Sequence, residues 1–230
     1  MEIANKENQL IVSPYGGRII ESKPLVNFNP YSNLENWVNI HVLQETIIPS
    51  HIHTGIEIIT FVVKGTIVHF DEKANSWTDT QIGGVQVIHA NSGFKHAEKY
   101  HAGTKLIQIW LEPNLKAAVK LDPVYKTLKA KDFPWEDQDG FKRIRYIGLN
   151  TPILPASRGV GAIKYKLPVG VHRIKLHQRD YNSICILSGS CIINDAEMFE
   201  NDFTRVLWVD RLDIAVITET ELLILITPYK

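Results

Sequence analysis

Cysteine is scarce: Cys185 and Cys191 are the only two in 230 residues, too few for a disulfide framework to hold the fold. They flank a predicted turn at Ser188-Gly189 and are expected as buried free thiols in strands. An excess of charge of one sign is also lacking, because 25 Lys and Arg balance 25 Asp and Glu. Without a long basic run, the clustered cations that non-specific nucleic-acid binding needs are excluded. No apolar run approaches membrane-spanning length, the longest aliphatic one being 222–226. The first ten residues carry neither the cationic start nor the apolar stretch of a signal peptide. A cytoplasmic monomer is therefore expected, with small molecules as partners and neither a membrane nor nucleic acid bound directly. What is present suffices for a core: 44% hydrophobic residues exclude disorder. The length allows one large domain or two small ones.

Short runs rich in Val, Ile, Thr and aromatic residues recur along the chain, at 58–63, 66–70, 106–111, 184–187 and 222–227 among others. Gly, Asn and Asp punctuate them, a pattern that predicts a mostly β protein. The stretch 112–135 differs, holding Pro113, Pro123 and Pro134 and short patches able to form a helical turn or two. It reads as a connection, 113–135, between an N-terminal domain, 1–112, and a C-terminal domain, 136–230. Val62-Val63-Lys64-Gly65-Thr66-Ile67-Val68 and Ile186-Leu187-Ser188-Gly189-Ser190-Cys191-Ile192 share one pattern of apolar, polar, Gly and hydroxyl positions, Gly65 to Gly189 being an offset of 124. A strand-turn-strand unit repeated at about half the chain length points to a duplicated small β-barrel.

Among nine histidines, two groups stand out: His51-Ile52-His53 and His96-Ala97-Glu98. Residues two apart on a strand point to one face, about 6.5–7 Å apart, so each pair can aim two donors at one ion. With the strands facing each other inside a barrel, His51, His53, His96 and Glu98 form a cage of three imidazoles and one carboxylate. Such a set leaves positions open for water or substrate and is compatible with Fe(II), Mn, Ni, Zn or Cu. The bland alternative is that a lone His-x-His in a histidine-rich chain is a surface or satisfied core pair; two such groups on β segments weigh against it. Glu57, four residues beyond His53, is the competing carboxylate. His41 lies on a strand that can approach the site, whereas His69, His89 and His101 read as bystanders near turns or strand ends. The five tryptophans read as core or inter-domain packing. Shifted by 124, His51, His53 and His96 fall on Lys175, His177 and Thr220, so the C-terminal domain is expected to be without metal. No Gly-x-Gly-x-x-Gly, P-loop, Gly-x-Ser-x-Gly or Cys-x-x-Cys motif is present, which removes the usual support for nucleotide-binding, serine-hydrolase and zinc-ribbon readings.

The segments His51-Ile-His-Thr-Gly-Ile-Glu57, Gly84-Val-Gln86, Gly93-Phe-Lys-His-Ala-Glu98 and Gln108-Ile-Trp110 together resemble the pirin family of the cupin superfamily, over roughly residues 15–112. Its members carry His-Pro-His-Arg-Gly-Phe-Glu, Gly-Asp-Val-Gln, Gly-x-x-His-x-Glu and Gln-(apolar)-Trp. The resemblance implies an all-β bicupin, two jelly-roll-like β-barrels joined by a partly helical linker, with the metal in the N-terminal one. It implies His51, His53, His96 and Glu98 as ligands of one divalent transition metal, Fe(II) first and Mn, Ni, Zn or Cu as alternatives, and it favours Glu98 over Glu57, which is left beside the ligands. Bacterial pirin-like proteins further imply a quercetin 2,3-dioxygenase-like reaction, with a flavonol and dioxygen as substrates and Glu98 as ligand and base at once. The alternatives are a metal-dependent regulatory protein without turnover, as eukaryotic pirins are, or a cupin enzyme of other chemistry. Three positions depart from the family pattern: Ile52 for Pro, Thr54 for Arg and Gly84 for Asp. Thr54 removes a cation and a fork of donors from beside the site.

Overall fold

A computed structural model describes residues 2–27 and 31–229. The described chain is all-β apart from short helical turns, as the run pattern predicts. It divides into two compact units, one of Leu10–Asp132 and one of Met1–Gln9 with Phe133–Lys230. The chain opens on β1 (Glu2–Ala4), which belongs to the second unit.

The Leu10–Asp132 unit contains β2 (Leu10–Val12), β3 (Ile19–Lys23), β4 (Leu34–Val42), β5 (Thr46–His53), β6 (Glu57–Lys64) and β7 (Thr66–Asp71). After these come β8 (Ser76–Gln81), β9 (Val85–His89), β10 (Phe94–Tyr100), β11 (Lys105–Leu111) and β12 (Val124–Leu128). They form two antiparallel sheets, in the orders β12-β9-β6-β11-β4-β3-β2 and β5-β10-β7-β8. Central β6 is a nearly continuous β-branched and aromatic run, buried from Glu57 to Val62, as a strand covered on both faces must be. On β10 the period is two: Phe94, His96, Glu98 and Tyr100 are buried while Lys95, Ala97 and Lys99 between them are less so. Val38, Ile40, Val62, Ile67 and Leu106 pack into one interior cluster, and Ile58, Ile88 and Phe94 into another. Each such side chain contributes about 1.5–3 kcal/mol on burial.

Of the stretch expected as a connection, residues 113–132 are built into this unit and 133–135 belong to the other. Leu115–Ala118 is a single helical turn whose N-cap, Asn114, accepts from the Ala117 amide at 3.3 Å. Strand β12 then adds to the sheet edge beside β9, where it protects an otherwise unpaired row of backbone groups. Thr127 and Thr80 hydroxyls meet at 2.6 Å and Tyr125 and Thr78 hydroxyls at 2.8 Å.

The second unit contains, after β1, β13 (Glu136–Gln138), β14 (Phe141–Ile147), β15 (Gly161–Leu167) and β16 (Gly170–Lys175). The long β17 (Asp180–Ile193), β18 (Ala196–Phe199), β19 (Phe203–Val206) and β20 (Arg211–Pro228) complete it. The sheet order is β1-β19-β17-β20-β15-β14-β13, with β16 on β20 and β18 on β17. The first residues of the chain, expected in the N-terminal domain, thus form an edge strand of this sheet, Glu2 opposite Arg205 and Ala4 opposite Phe203. Ile184, Ile186, Leu212, Ile214, Leu222 and Ile224 belong to its core. Cys185 and Cys191 are buried thiols not joined in a disulfide, and burial pushes the Cys191 thiol up to about 11.

The two units share a clasp that locates their correspondence. Gly65 and Gly189 turn with φ of 78° and 83°, a region that favours glycine. The Thr104 hydroxyl donates to the Thr66 carbonyl at 3.1 Å, and the Thr220 hydroxyl donates to the Ser190 carbonyl at 3.1 Å. Thr220 therefore corresponds to Thr104, 116 positions earlier, and not to His96 as a constant offset of 124 would have it. Between the glycine and the threonine the second unit is shorter, so the offset falls along the chain. Strand pairing gives the corrected positions. His51 lies opposite His96 in the first unit, and Ile174 lies opposite Leu212 in the second. An offset of 116 likewise carries Glu98 to Ile214, and Leu176 stands two beyond Ile174 as His53 stands two beyond His51. Ile174, Leu176, Leu212 and Ile214 are all buried. Where the first unit presents imidazole and carboxylate, the second presents hydrocarbon.

Candidate metal centre

A bulge in β5 aims the first two histidines inward. From Phe94 to His96 the pairing of β10 with β5 runs His53, Ile52, His51; Glu98 then pairs with Ile48, so β5 carries one extra residue at 49–50. Pro49 sits in that bulge on an edge strand, where its missing N–H costs no ladder bond. The extra residue reverses the parity of the strand: Ile48 packs against the core cluster, and His51 and His53 face the same interior. The His51 ring is oriented by its Nδ1, 2.8 Å from the Pro49 carbonyl oxygen, which leaves Nε2 as the free donor atom.

His51, His53 and His96 come together with one ligand atom each, all within 4.8 Å of one another. Their ring centroids are 4.3, 4.8 and 5.3 Å apart. His96 is buried, and neither of its ring nitrogens has a hydrogen-bond partner among the described residues. A buried imidazole left in this way is costly unless an ion takes its lone pair. Burial above all, then the neighbouring His69, His51 and His53, lowers the His96 pKa to about 2. Burial and then His51 lower that of His53 to about 4. Both rings are accordingly neutral near pH 7, the state in which imidazole ligates a metal. Geometry, orphaned nitrogens and protonation state all fit a divalent transition metal.

Glu98 is close by but differently engaged. It is fully buried; Gln86 Nε2 donates to Oε1 at 3.2 Å and the Tyr100 hydroxyl donates to Oε2 at 2.7 Å. Burial raises its pKa, while the Tyr100 and Gln86 hydrogen bonds act in the opposite direction. Glu98 lines the same cavity of about 180 Å³ as the three histidines, together with Tyr15 and Trp110. Glu57 is elsewhere: buried in β6, it faces His89 across the sheet, with its Oε1 3.1 Å from His89 Nε2.

Several roles escaped the sequence. His69, read as a bystander near a strand end, is buried in the body of β7, opposite Glu98 on β10. It stacks on Tyr125 at 4.0 Å and 12°, and its ring centroid is 4.9 Å from that of His96. Its inward parity with Ile67 was the available signal. Trp110, read as packing, stands edge-on to His53 at 5.2 Å and donates from Nε1 to Gln108 Oε1 at 2.8 Å. Gln86 proves to be the partner of Glu98. Gly84 is explained by space, because a Cβ there would lie 2.8 Å from the Leu128 carbonyl oxygen. The aspartate expected at that position does not fit beside β12.

Residues 21–111 match the sequence profile of the Pirin family. A "Pirin-like protein" of Caulobacter vibrioides is 41% identical over 83 residues, 35% of each chain. The aligned stretch therefore spans about a third of that relative's length. A Zymomonas mobilis protein named "Putative quercetin 2,3-dioxygenase" is 24% identical over 199 residues, covering 84% of this chain and 82% of its own. In fold, the chain is similar to the bacterial pirin YhhW of Escherichia coli in complex with nickel(II), with a TM-score of 0.80 at 16% identity over 100% of this chain and 99% of that one. The matched sequence and the three-histidine cluster fall in the same stretch, and residues 21–111 are a Pirin-family domain.

Proposed function

We propose that the chain is a metal-dependent dioxygenase acting on a flavonol such as quercetin, with His51, His53 and His96 as imidazole ligands and Glu98 as fourth ligand and proton acceptor. The observation that carries this reading is the convergence of three imidazoles on a cavity also lined by a buried carboxylate. The substrate class is suggested by the name of the Zymomonas mobilis relative.

A bound divalent metal, Fe(II) by first choice or Mn, Ni, Zn or Cu, would supply a Lewis-acid centre for the substrate's oxygen atoms and, if redox-active, a path for electrons to dioxygen. The chain's own residues supply the rest. His51 is held by the Pro49 carbonyl, so its free nitrogen has a set direction. Glu98 is poised to take the proton of a substrate hydroxyl; burial makes it a stronger base than an exposed glutamate, and the Tyr100 and Gln86 donors fix its orientation. Trp110, beside His53, and Tyr15 flank the cavity and limit water.

The cavity volume favours a second reading. At about 180 Å³ it is below the roughly 300–1,000 Å³ of sites that enclose drug-sized ligands, as expected of a metal-responsive binding protein without turnover. Tyr15, half-exposed at the cavity with a left-handed φ of 56°, is the residue whose displacement would enlarge it.

Oxygen uptake and optical decay of quercetin, measured on protein loaded in turn with Fe, Mn, Ni and Cu, decide between them. Oxygen-dependent decay in the wild type that Glu98→Gln reduces by more than its loss of metal supports the enzyme, since an amide can coordinate but cannot accept the proton. No decay with any metal, in fully loaded protein, overturns it in favour of the binding protein.

A further inference from the structure

The C-terminal unit holds a cavity built on the same strands as the histidine-lined one, with its chemistry inverted. In the first unit Glu21 of β3 lies opposite Ile40 of β4, and Ile40 opposite Leu106 of β11. In the second, Arg143 of β14 lies opposite Tyr165 of β15, and Tyr165 opposite Leu222 of β20. Leu106 and Leu222 are 116 apart, the offset that the threonine clasp sets. Arg143 thus occupies the place of Glu21, and Ile224 and Ile226 the places of Gln108 and Trp110. Losing the indole and the histidine rings opens the space: this cavity measures about 420 Å³, within the range of small-molecule sites.

Its lining divides into two parts. Ile163, Leu176, Ile224 and Ile226 give an apolar floor, while Arg143 and Lys175 bring positive charge and no carboxylate lines it. Glu136 is shared between Arg143 at 2.9 Å and Arg145 at 2.7 Å, so one positive charge of that trio is unbalanced. Lys175 has no ion pair among the described residues. His177 at the rim faces Asp180 at 3.5 Å. The buried amide of Asn182 is already spent, its Nδ2 donating to the His177 and Asp180 carbonyls, and offers the cavity no competing hydrogen bond.

We propose that this cavity binds an organic anion with an apolar body and a single carboxylate, the body on the isoleucine floor and the carboxylate on Lys175 and the Arg143 guanidinium, which the Tyr165 hydroxyl also meets. A bare inorganic anion would leave the floor against water, and a neutral ligand would leave the cations unmatched. The site does not depend on the metal reading, since none of its residues belongs to the histidine cluster.

Isothermal titration of the chelator-treated full chain tests this, with octanoate as probe, octanamide as its neutral counterpart and inorganic phosphate as the bare anion. Octanoate should saturate at one per chain, with octanamide and phosphate weaker by roughly tenfold or more. Lys175→Glu should weaken octanoate by about the same factor. Ile226→Trp, which puts back the ring that the first unit carries, should block it by filling the space. If Ile226→Trp does not fold, Lys175→Glu, a surface change, decides alone. Equal binding of octanamide, undiminished binding by Lys175→Glu, or no saturable binding overturns the proposal.

Discussion

Tyr100 donates its hydroxyl to Glu98 Oε2 at 2.7 Å, both residues buried and two apart on one face of β10. Burial and the neighbouring carboxylate hold the Tyr100 phenol well above its ordinary pKa, so it is a permanent donor. Tyr100→Phe keeps the ring and removes the hydrogen bond to a buried carboxylate. The expected cost is about 1.5–3 kcal/mol in urea unfolding of the metal-free protein, with the dependence on urea unchanged. A midpoint equal to wild type would show that Glu98 does not rely on this bond.

His96 separates metal binding from stability. With both nitrogens buried and unpartnered, replacement by Leu removes an unsatisfied polar group and fills similar space. His96→Leu should abolish stoichiometric metal binding, measured by elemental analysis. It should also stabilise the chelator-treated protein, by about 1 kcal/mol. Destabilisation of the metal-free form would mean that the imidazole has a structural partner.

At the duplicated turn, the two glycines should respond unequally. A Cβ on Gly65 would meet the Thr104 hydroxyl at 2.6 Å, a side-chain atom able to turn away, whereas on Gly189 it would also collide with the Glu219 carbonyl of the backbone. Both pay left-handed strain of about 1–2 kcal/mol as alanine. Gly189→Ala should therefore lower the thermal midpoint further than Gly65→Ala, and calorimetry of the two variants checks the order.

Cys191 offers a pH test. With its thiol pKa raised to about 11 by burial and then by Asp202, the reactive thiolate is about one part in a thousand at pH 8. Native protein should react slowly with a thiol reagent there, faster as pH rises toward 11, and denatured protein should react at once with two equivalents. Rapid native labelling at pH 8 would contradict the burial of both cysteines.

The strands and the donors were legible in the sequence because both are local properties. Alternation of two on Phe94 to Tyr100 puts His96 and Glu98 on one face whatever they later meet, and β-branched runs such as that of β6 form strands for reasons carried within a few residues. The repeat was visible at Gly65 and Gly189, since a tight turn leaves its glycine in place. Everything that depends on which strand lies beside which was not. A single offset carried His96 to Thr220, because a deletion in a loop changes spacing without a mark on the pattern; only the pairing of β16 with β20 shows hydrocarbon at the equivalent positions. The Pro49 bulge, the burial of His69, and the hold of Gln86 and Tyr100 on Glu98 likewise arise from contacts between distant segments. Sequence thus determined the secondary structure and the supply of ligand types. Tertiary structure decided which of them converge, since register and burial are properties of neighbours that no single strand contains.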